Sequence, residues 1–323
     1  RLGWGALTIL CLMSAYYVLR PLRDAMRVEG GVEHLQWLFT GTLLAMLAAN
    51  PLYAALVRRL PARRFIPLVY LFFIANLALF GWAMAATEGV ALRWVGRAFF
   101  IWVSVFNLFV VSVFWALMVD VFDGAQARRL FGFLAAAATV GAMLGSGFVA
   151  SQARRMPPSM LLLASALLLA GAIVCVGRVM RDGDRARAAG HGISGHDEGG
   201  EEASGRGAVG RGASSQKSAE SGADAGGFAH DQRIGGSIWA GLQRTMRSPY
   251  LLNISLYILL YTVTSTFLYF QQAAIARDYF PDTVSRTRFF ASMDFAVNVL
   301  TLLMQLFVTG RVLRVLGVTV AAA

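Results

Sequence analysis

The sequence predicts an all-α membrane protein, a bundle of hydrophobic helices, on three observations. Of its 323 residues, 57% are apolar and only 15% charged, against about 45–50% and about 25% in ordinary soluble domains. The apolar residues gather into runs of about 20, the length that an α-helix needs to cross the hydrocarbon core. The cations lie mostly at the ends of those runs, as flanking arginines of membrane helices do.

Eight such runs are read at 2–20 (extending as far as 27), 35–57, 64–86, 98–119, 130–152, 159–180, 250–272 and 289–310, and a ninth begins near 312. A single run could be the core helix of a soluble domain, but eight of spanning length could not all hide in one. The chain starts at Arg1 and stops at Ala323 inside an apolar stretch. It is therefore expected to be a truncated bundle, with six helices in the first half and two to three in the second. No cleavable signal peptide is visible.

Charge sets orientation and excludes some functions. The formal net charge is +11, but the stretch Asp182–Arg233 carries more acidic than basic residues, so the excess lies around the apolar runs. That distribution does not suit nucleic acid, which asks for a basic soluble face or tail. With the N-terminus inside, the inner loops hold Arg58, Arg59, Arg63 and Arg64, then Arg128 and Arg129, then Arg178, Arg181, Arg185 and Arg187. The outer loops hold Arg93 and Arg97, Arg154 and Arg155, and Arg277, Arg286 and Arg288. This bias favours a cytoplasmic N-terminus in a multi-pass membrane protein, and the use of Arg for all but one of the basic residues, with abundant Ala and Gly, suggests a GC-rich bacterial genome and hence the bacterial inner membrane.

Four segments follow: a six-helix half over 1–182, a cytoplasmic linker over 183–233, an amphipathic helix over 234–248, and the start of a second half over 249–323. The linker is Gly, Ala and Ser with scattered charge, too poor in large apolar groups to offset its ordering entropy, so disorder is expected. In 234–248, Ile234, Ile238, Leu242 and Met246 recur every four residues beside Trp239 and arginines. This pattern suits a helix lying on the membrane surface, and equally a plain cytoplasmic helix.

No enzyme, metal or cofactor signature emerges. Gly205, Gly207 and Gly210 spell GxGxxG, but a dinucleotide site needs a strand before and a helix after it, and the linker offers neither. Cys11 and Cys175 sit inside apolar runs, as small buried residues do. Three of the four histidines (His191, His196, His230) lie in the linker, and His34 stands alone.

Polar residues within the runs are the candidates for a site. In YYVLRPLRD, if the helix passes Pro21, Tyr16, Arg20, Arg23 with Asp24, and Arg27 share a face. Guanidiniums beside a tyrosine suit a phosphate or carboxylate, because the planar fork donates two parallel hydrogen bonds. They equally suit interfacial arginines snorkelling outward. In the eighth run Asp294 and Asn298 are four residues apart, and an intramembrane carboxylate is a functional candidate by default. It could carry a substrate-coupled proton, an ion pair broken on gating, or a buried structural pair with an arginine. Asn107 in the fourth run could contact substrate or tie helices together. Gln271 and Gln272 end the seventh run at membrane depth. Asp120 and Asp123 at the inner end of the fourth run, with Arg63, Arg64, Arg128 and Arg129, compose a possible inner gate of ion pairs or are solvated loop charges. Gly141 and Gly145 are at GxxxG spacing and predict close helix contact.

YYVLRPLRD (16–24), FWALMVDVFDGAQARRLFGFLAAAATVGAMLGSG (114–147) and SPYLLNISLYILLYTVTSTFLYFQQA (248–273) together resemble bacterial major-facilitator-type proteins related to the nucleotide transporters, the ATP/ADP translocases. A six-helix block, a long linker and a second helical block fit the same layout. The resemblance implies twelve helices in two halves and a central site reached by alternating access. The lysine–aspartate of those proteins at the end of helix one falls on Arg23–Asp24, and their eighth-helix aspartate on Asp294. Their acidic residue before Ala–Lys–Arg falls on Gln126, and a seventh-helix carboxylate near Tyr269, so two carboxylates are replaced. The function implied is a secondary transporter of a small anionic solute, with ATP and ADP as the family's own cargo. The alternatives are a permease or exporter of an unrelated small solute, and a non-transporting sensor or assembly factor on the same fold.

Overall fold

The computed structural model describes residues 2–31, 35–59, 62–121, 124–194, 246 and 248–308; side chains at 53, 54, 56–58, 62, 119–121, 124–131 and 183–194 lie outside that description. Among the described residues all regular structure is helical: α1 Leu2–Glu29, α2 Leu35–Arg59, α3 Ala62–Ala86, α4 Gly89–Val121, α5 Gly124–Gln152, α6 Pro158–Ser194, α7 Pro249–Tyr279 and α8 Thr283–Leu303, the last followed by a π-helical turn, Met304–Val308. All eight are long and apolar enough to cross a membrane.

The chain divides into two compact units, Arg1–Gly190 with Tyr269–Ala323, and His191–Leu268. In the second, the described α7 residues Pro249–Leu268 are exposed on every face, large apolar side chains such as Leu256, Tyr257, Leu260 and Phe267 included. Such a cylinder is stable in lipid, where intrahelical bonds satisfy the backbone and no apolar group need be hidden.

The first unit is built around α1, which packs against α4, α5 and α8. Its buried residues include Ile9, Leu12, Ala15, Leu19 and Leu22, spaced three and four apart as one stripe of a helix. α1 passes through Pro21, so the polar stripe read from the sequence stays on one continuous helix. It ends where Gly31 takes φ +94, a left-handed conformation that glycine adopts without a Cβ clash. Gly89, at φ +60, makes the corresponding break between α3 and α4.

The predicted small-residue contact falls between α5 and α1. A methyl group added at Gly141 or Gly145 would overlap the backbone of Leu10 or Ser14. The Ser14 hydroxyl donates to the Gly141 carbonyl at 2.9 Å and the Ser165 hydroxyl of α6 to the Ala15 carbonyl at 3.0 Å. The α3–α4 side is aromatic instead, with Phe73 edge-on to Phe106 at 5.0 Å and Trp102 stacked on Phe106 at 5.5 Å. Large apolar side chains, Leu43, Leu47, Phe72, Trp82, Leu163 and Leu167 among them, face outward. Exposure on that scale is a liability in water and the expected surface in hydrocarbon.

Several boundaries differ from the sequence reading: α5 and α8 begin about two turns earlier and α7 ends about two turns later than their apolar runs, and two differences are larger. α4 begins at Gly89 rather than near 98, and α6 continues to Ser194, past the expected linker start at 183. Alanine and arginine over 185–189 are strong helix formers, and they carry the helix on after the apolar face has ended. The rest of the linker, including Gly205, Gly207 and Gly210, nearly all of the 234–248 amphipathic segment, and the ninth run near 312 lie outside the described residues.

Candidate functional site

The site candidate is the C-terminal half of α1 where it meets the end of α7 and the first half of α8. The 3.6-residue turn sets Arg20, Arg23 and Arg27 along one side of α1, and each meets a different environment. Arg20 pairs with Asp294 of α8, Nη1 to Oδ1 at 3.2 Å, and its guanidinium lies 5.4 Å from the Tyr17 ring centroid. Arg23 donates to Asp24 Oδ1 from Nε at 3.1 Å and from Nη2 at 2.9 Å and sits 5.1 Å from the Phe100 ring. The Tyr269 hydroxyl of α7 donates to the same Asp24 oxygen at 3.0 Å. Asp24 therefore joins α1 to α7, and Asp294 joins α8 to α1.

Arg27 is different. It is only 1% exposed, and none of its three guanidinium nitrogens has a hydrogen-bond acceptor among the described residues. Its guanidinium carbon lies 3.7 Å from the Tyr269 ring centroid and 5.7 Å from that of Phe290. A desolvated cation–π contact offers about 2 kcal/mol, whereas leaving a buried charge without its partner costs about 3–5 kcal/mol. The rings thus offset only part of the penalty. Within this cluster Arg20, Arg23 and Arg27 face two carboxylates, Asp24 and Asp294, leaving one positive charge in excess. Asp294 also holds Oδ2 buried without a donor among the described residues.

A second group closes the same end of α1. Thr283 donates its hydroxyl to the Glu29 carboxylate. Arg97 of α4 donates to the Gly30 carbonyl at 2.9 Å, satisfying a carbonyl that the end of α1 leaves free. Asp282 caps α8, accepting from the Ser285 N–H and hydroxyl, each at 2.8 Å. Those donors stabilise the ionised form and hold this exposed carboxyl below the usual aspartate range.

Of the residues read from the sequence, Arg20, Arg23, Asp24 and Asp294 come together as one cluster. Tyr16 stands beside it with its ring edge-on to Tyr17 at 5.4 Å. Asn298 is buried, but its amide donates to the main-chain carbonyl of Asp294 at 2.7 Å, so the four-residue spacing gives a helix-backbone bond rather than a side-chain pair. Gln272 donates to the Met293 sulfur at 3.1 Å. Gln271 is exposed, and Asn107 is half-buried on α4 without joining the cluster. Arg63 and Arg64 are exposed, while Asp123 and the side chains of Asp120, Arg128 and Arg129 lie outside the described residues.

Sequence reasoning set Arg27 on the same stripe as its neighbours and met Tyr269 only as the place where the family resemblance puts a carboxylate, not as a site residue. For Arg27 the signal was its place in the i, i+4 series. Tyr269 carried none of its own, because an isolated tyrosine in an apolar run looks like packing.

Among the described residues, no group of three or more His, Cys, Asp or Glu is placed to hold a metal ion. In comparison with known proteins, no family model, no curated protein and no solved structure matches the chain.

Proposed function

We propose that this chain is a secondary transporter, a major-facilitator-type bundle with a cytoplasmic N-terminus, which moves a small anionic solute across the bacterial inner membrane by alternating access. The observation that carries the reading is the cation excess on α1. Three arginines meet two carboxylates at membrane depth, and Arg27, within Coulomb range of Asp24, lies against ring faces with no hydrogen-bond acceptor among the described residues. An anionic cargo supplies the missing countercharge, and the guanidinium geometry suits phosphate and carboxylate alike.

The remaining contacts support a moving seam. Asp24–Tyr269 and Arg20–Asp294 tie α1 to α7 and α8, beside the Arg27–Tyr269 and Thr283–Glu29 contacts, and an anion competing for Arg20 or Arg23 would release Asp294 or Asp24. Binding energy would then be coupled to helix separation, as a ligand can shift a conformational equilibrium only through contacts that differ between its states. Tyr16 lies within reach of the same arginines along α1 and would line the path. Nucleotides such as ATP and ADP are one cargo class that this reading admits, on the YYVLRPLRD resemblance.

The direct test is uptake into liposomes by the reconstituted protein, using labelled ATP, ADP, inorganic phosphate and citrate in turn. Saturable uptake of at least one, abolished by Arg23→Ala, is expected. Uptake of none of these anions, alongside saturable uptake of a neutral or cationic solute, would overturn the anionic reading.

A further inference from the structure

Beyond the α1 cluster, a pocket of about 280 Å³ opens where the α5–α6 connection meets α8. It is lined by Arg154, Phe280, Ser285, Arg288, Phe289 and Ser292. Ser285, Arg288 with Phe289, and Ser292 recur at three- and four-residue intervals, so one face of α8 supplies most of the wall. Arg154 comes from the separate Ala153–Pro157 connection. Arg286 donates to the Phe280 carbonyl at 2.9 Å, fixing the turn before α8. The Phe280 and Phe289 rings stack with centroids 4.8 Å apart.

At this end of the bundle the arginines divide into those spent on a partner and those exposed without one, the latter being Arg93, Arg154, Arg155 and Arg288, of which Arg154 and Arg288 share a pocket. Arg97 is spent on a helix carbonyl, Arg277 on Asp278 and Arg286 on a turn carbonyl. Arg154 and Arg288 are exposed and make no ion pair or hydrogen bond among the described residues. Two like charges from separate segments on one small pocket repel each other unless an anion lies between them. The pocket sits at helix ends, where the apolar span of α8 begins, with an aromatic wall beside the cations.

We propose that this pocket binds the phosphodiester head group of an anionic phospholipid. Arg154 and Arg288 hold the phosphate from two sides, the Ser292 hydroxyl donates a further hydrogen bond, and the Phe280–Phe289 stack packs against the glycerol and upper acyl carbons. Basic pockets between membrane helices recognise anionic head groups in this manner. The site is separate from the α1 cluster and does not depend on what the protein transports.

The test uses the whole chain purified in detergent, with its unfolding midpoint followed as phosphatidylglycerol, phosphatidylcholine or inorganic phosphate is added at constant ionic strength. Phosphatidylglycerol is expected to raise the midpoint more than phosphatidylcholine does, and Arg154→Gln or Arg288→Gln to weaken its apparent affinity by about fivefold each. Both side chains are exposed, so the variants retain the fold. Native mass spectrometry supplies an independent count, with one phosphatidylglycerol fewer carried by the double variant. Equal responses to the two lipids, or phosphatidylglycerol binding untouched in the double variant, would overturn the proposal. So would inorganic phosphate alone producing the full shift, since the ligand would then be a free anion.

Discussion

The two halves of α1 are both buried and do opposite work. Toward the N-terminus, Leu10 and Ser14 lie so close to Gly141 and Gly145 that no side chain fits between the helices, and the contact is made of backbone and van der Waals surface. Toward the C-terminus, Arg20, Arg23, Asp24 and Arg27 meet Tyr269, Phe290 and Asp294 through a few directional, charged contacts. A seam of the first kind has no second arrangement of comparable energy, because interiors are close-packed. In the second kind, on the proposed function, each arginine has an alternative partner in an anionic cargo. One helix thus combines a fixed seam and an exchangeable one.

The largest effect that would break this comparison is expected from Asp24→Asn. Asp24 is the carboxylate shared by Arg23 and Tyr269, and its neutralisation leaves a second buried guanidinium without a countercharge. A loss of about 3–5 kcal/mol is expected, visible as a greatly lowered unfolding midpoint in detergent. A change of only a few tenths would mean that water reaches the cluster.

Gly141→Val probes the fixed seam. Overpacking there should cost about 1–3 kcal/mol, and uptake per folded molecule should remain that of wild type. If uptake falls while stability holds, the α1–α5 contact moves during function and the division between the halves fails.

How far these halves were readable from the sequence differs for a physical reason. Run length and charge depletion point to eight spanning helices because the bilayer imposes both on every segment, and all eight helices are present. Gly141 and Gly145 were readable because close approach demands small residues at a four-residue interval. Arg20, Arg23, Asp24 and Asp294 stood out because a charge within an apolar run is costly. Tyr269 did not, since its role depends on which helix end meets α1, a tertiary fact that no local pattern carries. Asn298 was misleading in the same way: i, i+4 spacing shows proximity but not whether the amide finds a carboxylate or a backbone carbonyl. The long start of α4 and the extension of α6 were missed because the helices outlast their apolar runs.

Tyr269→Phe sharpens the exchangeable side. It removes the hydroxyl bond to Asp24 and keeps the ring over Arg27, so the expected loss is about 1 kcal/mol. Tyr269→Leu should cost more, because the ring face goes as well. Equal losses would show that the ring contact contributes nothing.

The smallest effect concerns Asp282, outside both seams. Its carboxyl is held below its ordinary value by the Ser285 donors, so its contribution is present above the unfolded value of about 4 and disappears as pH falls through the lower folded value. Asn also caps helices, so Asp282→Asn isolates the charge. Wild type should unfold at a slightly higher temperature than the variant near neutral pH, and the gap should close on acidification. A gap that widens in acid would contradict the assignment.

Arg27→Met tests the central claim most directly, because methionine fills a similar volume without the charge. The account predicts that the variant unfolds at a higher temperature than wild type in ligand-free detergent. It also predicts that the variant gains no stabilisation from the anion that liposome uptake identifies as cargo, whereas wild type does. An Arg27→Met protein that is less stable than wild type, yet stabilised by the same anion to the same extent, would show that Arg27 is a structural cation and not a charge awaiting its cargo.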